Sequence, residues 1–564
     1  MVKDRLSNCK TITYSHKKKI SLAFGILVFL TCPVFSQNHK KIPAEKPKLI
    51  IGIVIDQMRY DYIYRFWDKF SEGGIRKMVG SGTLCKNASY DFLINETATG
   101  YATISTGALP SHHGIISNTW YESLPNRVVY CVEDDHFNTV GGSYNAGRYS
   151  PSKLLASTLG DEMKMTNEMR SKVIGIAYED CAAILSAGHA ADYAFWYDDE
   201  RGNWITSSYY VDSLPGWVED FNAMRLPDTY LSRTWETLMP LSDYTESMSD
   251  TNDLEDGFDG RSVFPYDLDR ISSKRRRERD YSVIKYTPFG NTLTRDFAIA
   301  AIVNEELGKD EYTDFMTIGF SASEYTGIKF GPNSVEMEDV MLRLDREIEH
   351  FLQFVDNQVG KENTLVFLTA DHGISHQPGY LEGYRIPSGE FSPYAALSLL
   401  QSYLNVVYGK GDWFKYYYAQ QIYLNQELIE DSRLSLAEVQ GRVVQFMIQF
   451  EGISNAVSSQ TLQTTSFTDG IFKKIQNGFH QKRSGDVVLN LAPGWVEKIS
   501  ENESYHSSYM GDNHVPLIWY GWKIGRSTIN RPVFQTDIAA TISHFLDISR
   551  PNSATGNVIL ELVE

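Results

Sequence analysis

Four short apolar runs punctuate the chain. Residues 49–55 (LIIGIVI), 315–320 (FMTIGF), 364–369 (TLVFLT) and 515–520 (VPLIWY) are continuous and rich in β-branched or aromatic residues. Runs of this length without alternation read as strands buried on both faces, as in parallel sheets. Between them the period changes to that of helices. Residues 337–359 carry apolar side chains at 340, 341, 344, 348, 351, 352 and 355, one helical stripe. Residues 537–546 (DIAATISHFL) form a second stripe, with Thr536 placed to cap it. Alternating strand and helix predicts an α/β fold with a mostly parallel central sheet flanked by helices.

Two stretches break the alternation. Residues 198–280 are acidic and aromatic, with a basic run at 274–279 that reads as a solvated face. Residues 391–478 combine many tyrosines with amphipathic helix. Both read as insertions capping one side of a domain spanning 37–564.

The first 36 residues differ again. Lys17, Lys18 and Lys19 precede a 16-residue apolar run, 20–35, that contains Pro33 and ends before Ser36. The run is shorter than the roughly 20 residues of a membrane span, so 1–36 reads as a secretory signal peptide. The alternatives are an uncleaved anchor and, with Leu30 and Thr31 a poor match before Cys32, a lipoprotein. Cleavage removes six basic and one acidic residue and takes the net charge from -18 to -23. So acidic a chain is a poor partner for nucleic acid or anionic membranes. The mature chain keeps Cys85, Cys131 and Cys181, enough for one bridge at most.

In open parallel sheets, ligands bind beyond the carboxyl ends of the strands. Asp56, Glu324, Asp371 and His372 fall at such ends, and His514 stands just before the 515–520 strand. Aspartate and histidine suit zinc. Asp56, Asp371 and His372 are one ligand short of a tetrahedral set, and the Thr97 hydroxyl, at the mouth of a short helix, can supply it. Thr97 is then a metal-activated nucleophile rather than a helix cap. The helix start offers N–H groups to a phosphoryl oxygen, and Asn118 can donate its amide to another.

The stretches DQMRYDY (56–62), TATGYATISTG (97–107), HGIISNTWYE (113–122), AGHAADYAFWYD (187–198), TADHGISH (369–376), KRSGDVVLNLAPGW (482–495) and HVPLIWYG (514–521) resemble the phosphate-irrepressible alkaline phosphatases. These belong to the alkaline phosphatase superfamily, near the nucleotide pyrophosphatase/phosphodiesterases. The resemblance implies a secreted, zinc-dependent hydrolase of small-molecule phosphate esters acting through a phosphothreonine. It implies Thr97 as nucleophile, Asn118 as a phosphate contact, and Asp56, Thr97, Asp371 and His372 around one zinc, with His514 at a second. Thr99 is then a structural residue of the helix.

The chain departs from that pattern twice. The second zinc should also take an Asp and a His from the loop after the 315–320 strand, where this sequence has Glu324 and Ile328. One zinc is therefore expected, and the second site is doubtful. The family's monophosphatases carry a Lys and an Arg beside the phosphate, and the matching stretch IAYEDCAAIL gives Glu179 and Cys181. A like charge about 4 Å from a phosphate costs roughly 4 kcal/mol at an effective dielectric near 20. Two readings stand: a hydrolase for a substrate of lower charge, such as a phosphodiester, or an impaired member that binds without turnover.

Overall fold

The computed structural model describes residues 45–124, 126–273, 278–500, 503–505 and 513–563. The expected signal peptide and residues 274–277 of the basic run lie outside them. Residues 43–564 form one compact unit.

A ten-stranded sheet runs through its middle, in the spatial order Ser527–Ile529, Thr83–Cys85, Leu517–Gly521, Thr364–Thr369, Leu49–Ile55, Asp314–Phe320, Val173–Ile176, Tyr193–Asp198, Asn203–Ser207, Thr139–Val140. Leu49–Ile55 lies at the centre and is buried along its whole length, as its unbroken apolar run requires. It pairs in parallel with Asp314–Phe320 on one side and Thr364–Thr369 on the other. The 515–520 run becomes the strand Leu517–Gly521, and it is antiparallel to Thr364–Thr369, with Thr369 opposite Leu517. Because this strand is reversed, its beginning lies at the edge where the parallel strands end.

Side chains of the central strand alternate between two cores. Leu49, Ile51, Ile53 and Ile55 face the helices Val335–Gln358 and Pro288–Asn304. Ile50 and Val54 face Thr97–Thr106, Asp180–Ala187 and Asp537–Leu546. The result is a three-layer α/β/α arrangement. Thr536 occupies the N-cap position of Asp537–Leu546, but its side chain makes no capping bond. The Asp537 carboxylate accepts the Phe534 and Asn557 amides, both outside the helix, and so ties the helix start to its flanking loops.

The two predicted insertions behave differently. Asn203–Ser207, inside the 198–280 stretch, joins the central sheet, and Val218, Phe221, Tyr230, Trp235 and Tyr266 pack into the first core. The 391–478 stretch contributes three strands of a separate four-stranded sheet, Phe414–Tyr418, Gln421–Leu424 and Ile453–Ser458, completed by Val487–Leu491. It has its own core around Leu400, Trp413, Val439, Val443 and Leu489. Among the described residues no helix is long and apolar enough to cross a membrane.

Candidate active site at the carboxyl edge of the sheet

Three central strands end in the residues singled out above. Asp56 follows Leu49–Ile55, Glu324 lies in the first turn of the helix after Asp314–Phe320, and Asp371 and His372 follow Thr364–Thr369. The helix Thr97–Thr106 comes down onto this edge. Its N-cap is Glu96, so Thr97 is its first helical residue. Thr99 has the structural part, its hydroxyl accepting the Glu96 amide at 3.0 Å. The helix sits close because Gly100 has no side chain: a Cβ there would stand 2.3 Å from the Asp371 carbonyl oxygen. Gly319 does the same for Tyr101, whose hydroxyl a Cβ would meet at 2.4 Å. Tyr101 can therefore donate to Asp56 Oδ1 at 2.6 Å, while Ser321 donates to Oδ2 at 2.5 Å.

Around Thr97 four donors form a chain. Thr97 Oγ1 donates toward Glu324 Oε1 at 3.4 Å. Glu324 Oε1 is 4.0 Å from His372 Nε2, which is 3.4 Å from Asp371 Oδ2. Asp371 Oδ1 accepts the amides of Gln57 and His372 at 2.9 and 2.7 Å. Its Oδ2 is buried without a hydrogen-bond partner. His372 Nδ1 lies 2.7 Å from the Gly373 carbonyl oxygen, which orients the ring with Nε2 toward the Asp371 and Glu324 carboxylates.

The charges gathered here repel. Burial raises the Asp56 carboxyl well above its usual range, and Asp371 and Glu324 push it further. Glu324 is raised well above its range by burial, then by Asp371 and Glu179, with the Thr97 hydroxyl and Lys285 pulling it back. Asp371 is raised by burial, with His372, the two amides and Thr97 opposing. A cation among these groups would turn each repulsion into attraction.

The donor set fits zinc in kind. Carboxylate, imidazole and hydroxyl donors at about 2.0–2.1 Å from a tetrahedral ion stand about 3.4 Å apart. That matches the Thr97–Glu324 and Asp371–His372 separations. As they stand, no group of three or more His, Cys, Asp and Glu side chains among the described residues is gathered tightly enough to hold an ion. Glu324 thus stands beside Thr97 and His372. The His514 Nε2 lies 2.8 Å from the Lys86 carbonyl oxygen, and its ring stacks on Tyr60 with centroids 4.1 Å apart. Ile328 is 41% exposed.

Asn118 flanks the helix start. Its Oδ1 accepts the Ala98 amide at 3.0 Å, leaving Nδ2 to donate, and its own amide donates to Glu96 Oε2 at 2.5 Å. Burial raises Glu96 to about 7, against the pull of that amide. Glu179 stands at the N-cap of Asp180–Ala187. Cys181 is buried, unbridged and hydrogen-bonded to Cys131. Glu179 is not alone: Lys285 Nζ is 3.4 Å from its Oε1 and 2.9 Å from Asp199 Oδ2. Sequence reading missed Lys285, Tyr101 and Ser321. Tyr101 was accessible, being one turn beyond Thr97 on the same helix face. Nothing in the spacing around Lys285 marks it.

The family model described as type I phosphodiesterase / nucleotide pyrophosphatase matches residues 50–514. Alkaline phosphatase PhoV of Synechococcus elongatus is 37% identical over 557 residues, covering 97% of this chain and 100% of that protein. Alkaline phosphatase PafA of Elizabethkingia meningoseptica is 37% identical over 543 residues, covering 96% and 98%. The crystal structure of wild-type PafA superimposes with a TM-score of 0.87, covering 92% of this chain and 99% of that one.

Proposed function

The chain belongs to the type I phosphodiesterase / nucleotide pyrophosphatase family of the alkaline phosphatase superfamily, and from that premise we propose an exported, metal-dependent phosphate ester hydrolase working through a phosphothreonine at Thr97. The observation that carries this reading is the Thr97 hydroxyl, held at a helix start and 3.4 Å from the Glu324 carboxylate. Export rests on the basic and apolar pattern of residues 1–36.

The residues divide the work as follows. The start of Thr97–Thr106 aligns N–H groups that favour a phosphoryl oxygen, and Asn118 Nδ2 takes a second oxygen. The carboxylate facing Thr97 Oγ1 receives its proton as oxygen attacks phosphorus. The P–O bond to the alcohol breaks and the ester oxygen leaves with the proton that this carboxylate has taken from Thr97. Water then cleaves the Thr97 ester and releases phosphate. Tyr101 and Ser321 hold Asp56 in place, and Gly373 holds His372. Asp56, Thr97, Asp371 and His372, with Glu324 beside them, would hold one zinc, which when bound lowers the hydroxyl pKa and offsets phosphoryl charge. Among the described residues, His514 and Glu324 are what remains of the family's second metal set, with isoleucine in place of histidine at 328, so we read the second metal site as degenerate.

A phosphodiester is the second reading, favoured by the charge of the pocket. Glu179 and Asp199 flank one cation, Lys285, and the Glu324 carboxyl belongs to the residue next to Lys285's partner Tyr325, a setting better matched to one negative charge than to two.

The test compares p-nitrophenyl monoester and diester hydrolysis by the native protein, Thr97→Ala and Thr99→Ala. Thr97→Ala abolishes turnover of whichever ester is used, whereas Thr99→Ala costs about 1 kcal/mol of stability through the lost helix-start bond and retains activity. Full activity in Thr97→Ala, or none in the native protein on either ester with zinc supplied, contradicts the proposal.

A further inference from the structure

The family pattern places its cations at positions that hold Glu179 and Cys181 here, yet a buried ammonium stands against Glu179. Lys285 closes the turn Tyr281–Tyr286 and is 8% exposed. Its three N–H bonds meet three acceptors: Asp199 Oδ2 at 2.9 Å, the Tyr325 hydroxyl at 3.2 Å and Glu179 Oε1 at 3.4 Å. The ammonium also lies 5.0 Å from the Tyr325 ring centroid. Asp199 is the firm partner and Glu179 the loosest, at the outer limit of a hydrogen bond.

This ammonium belongs to the site rather than to a distant ion pair. Tyr325 follows Glu324, the residue that faces Thr97. The path from the ammonium to Thr97 is short: Lys285 Nζ to the Tyr325 hydroxyl at 3.2 Å, then the neighbouring Glu324, whose Oε1 is 3.4 Å from Thr97 Oγ1. Burial alone would favour a neutral amine, but Glu179 and Asp199 outweigh it and raise the Lys285 pKa above its ordinary value. Both carboxylates are more exposed than Lys285, 25% for Glu179 and 43% for Asp199 against 9%, and it is the longer 3.4 Å contact that makes Glu179 the more readily exchanged partner.

We infer that Lys285 is the cation that receives the substrate's anionic oxygen, the Glu179 carboxylate being the placeholder that the phosphoryl group displaces. The inference rests on the proposed hydrolase reading and deepens it. The cation is supplied from the Tyr281–Tyr286 turn instead of from the start of the Asp180–Ala187 helix, and Glu179 sets the charge a substrate must bring to displace it. Such an exchange trades one charge-assisted hydrogen bond for another, so removing Glu179 strengthens anion binding and removing Lys285 weakens it.

The experiment measures inorganic phosphate binding by isothermal titration calorimetry on the full, zinc-supplied protein, alongside KM and kcat for the better p-nitrophenyl ester. Lys285→Met weakens phosphate binding about tenfold or more and raises KM more than it lowers kcat, whereas Lys285→Arg stays near the native value. Glu179→Gln tightens binding at least about threefold. Should Lys285→Met fail to fold, Glu179→Gln is compared with the double variant Glu179→Gln/Lys285→Met, in which neither member of that pair is left charged. The double variant then binds phosphate about tenfold more weakly than Glu179→Gln. Equal affinity with and without Lys285, in folded protein, overturns the inference. A native protein that turns over neither p-nitrophenyl ester overturns the hydrolase reading itself, which separates the two failures.

Discussion

The Thr97 hydroxyl and the Glu324 carboxylate stand 3.4 Å apart across 227 residues of chain. The first belongs to the helix that approaches the sheet edge from one face, the second to the helix that leaves it on the other. Their meeting groups Glu324 with Asp371 and His372, although the family pattern would pair its position with His514. A glutamate reaches one methylene further than the expected aspartate, and that length lets it face Thr97.

Glu324→Gln therefore lowers zinc retention. The substitution keeps the shape of the side chain and removes its charge from beside Thr97 and His372. Elemental analysis after dialysis should find less zinc than the roughly one ion per chain expected of the native protein, given a four-donor site. Unchanged zinc content in the variant would separate Glu324 from the metal.

Rebuilding the second site is the converse experiment. Glu324→Asp shortens the side chain away from Thr97, and Ile328→His adds the missing imidazole at a position already 41% exposed. Together with His514 these make the three protein ligands that a catalytic zinc wants. Zinc content and monoester turnover should rise together in the double variant. A native protein that already carries two tightly held ions and hydrolyses monoesters rapidly would show that the second site is intact by other means.

A third expectation concerns pH and lies away from the site. Glu336, fully buried in the first turn of Val335–Gln358, accepts the Tyr266 hydroxyl on Oε1 at 2.5 Å and has no hydrogen-bond partner for Oε2. Burial raises it to about 8, and it pushes Glu255, itself raised first by burial, to about 9. The ordinary value is 4.5, so between 4.5 and 8 the folded chain binds the proton and the unfolded chain does not. Stability contributed by this group is fully present below 4.5 and is lost as pH rises to 8. Glu336→Gln removes that loss: its denaturation midpoint should exceed the native one at pH 8 and approach it at pH 4. The same difference at both values would refute the linkage.

Legibility in the sequence followed how local each determinant is. Leu49–Ile55 and Thr364–Thr369 were readable to the residue, because burial on both faces leaves an unbroken apolar run. Asp537–Leu546 was equally clear from its stripe, start included; what the stripe did not show is that the Thr536 side chain makes no capping bond. The direction of Leu517–Gly521 was hidden: a buried strand looks the same whichever way it runs. The site residues could be picked out as types at strand ends. Which of them meet depends on side-chain reach and helix approach, so neither the grouping of Glu324 with Thr97 nor the Lys285–Glu179 pair could be seen. Thr99 could be assigned to the helix and Thr97 to chemistry only through the family resemblance, because both are hydroxyls at one helix start.

The most direct test of the account is the mass of the peptide that contains Thr97. The native, zinc-supplied protein is mixed with a p-nitrophenyl phosphate ester, quenched in acid within the first turnovers and digested. A degenerate second metal site, as proposed, would make cleavage of the phosphothreonine the slowed step, so the account predicts one phosphate on the Thr97 peptide, fragmenting at Thr97 and absent from Thr97→Ala. Steady p-nitrophenol release with that peptide unmodified at every quench time, and with turnover surviving in Thr97→Ala, would contradict it.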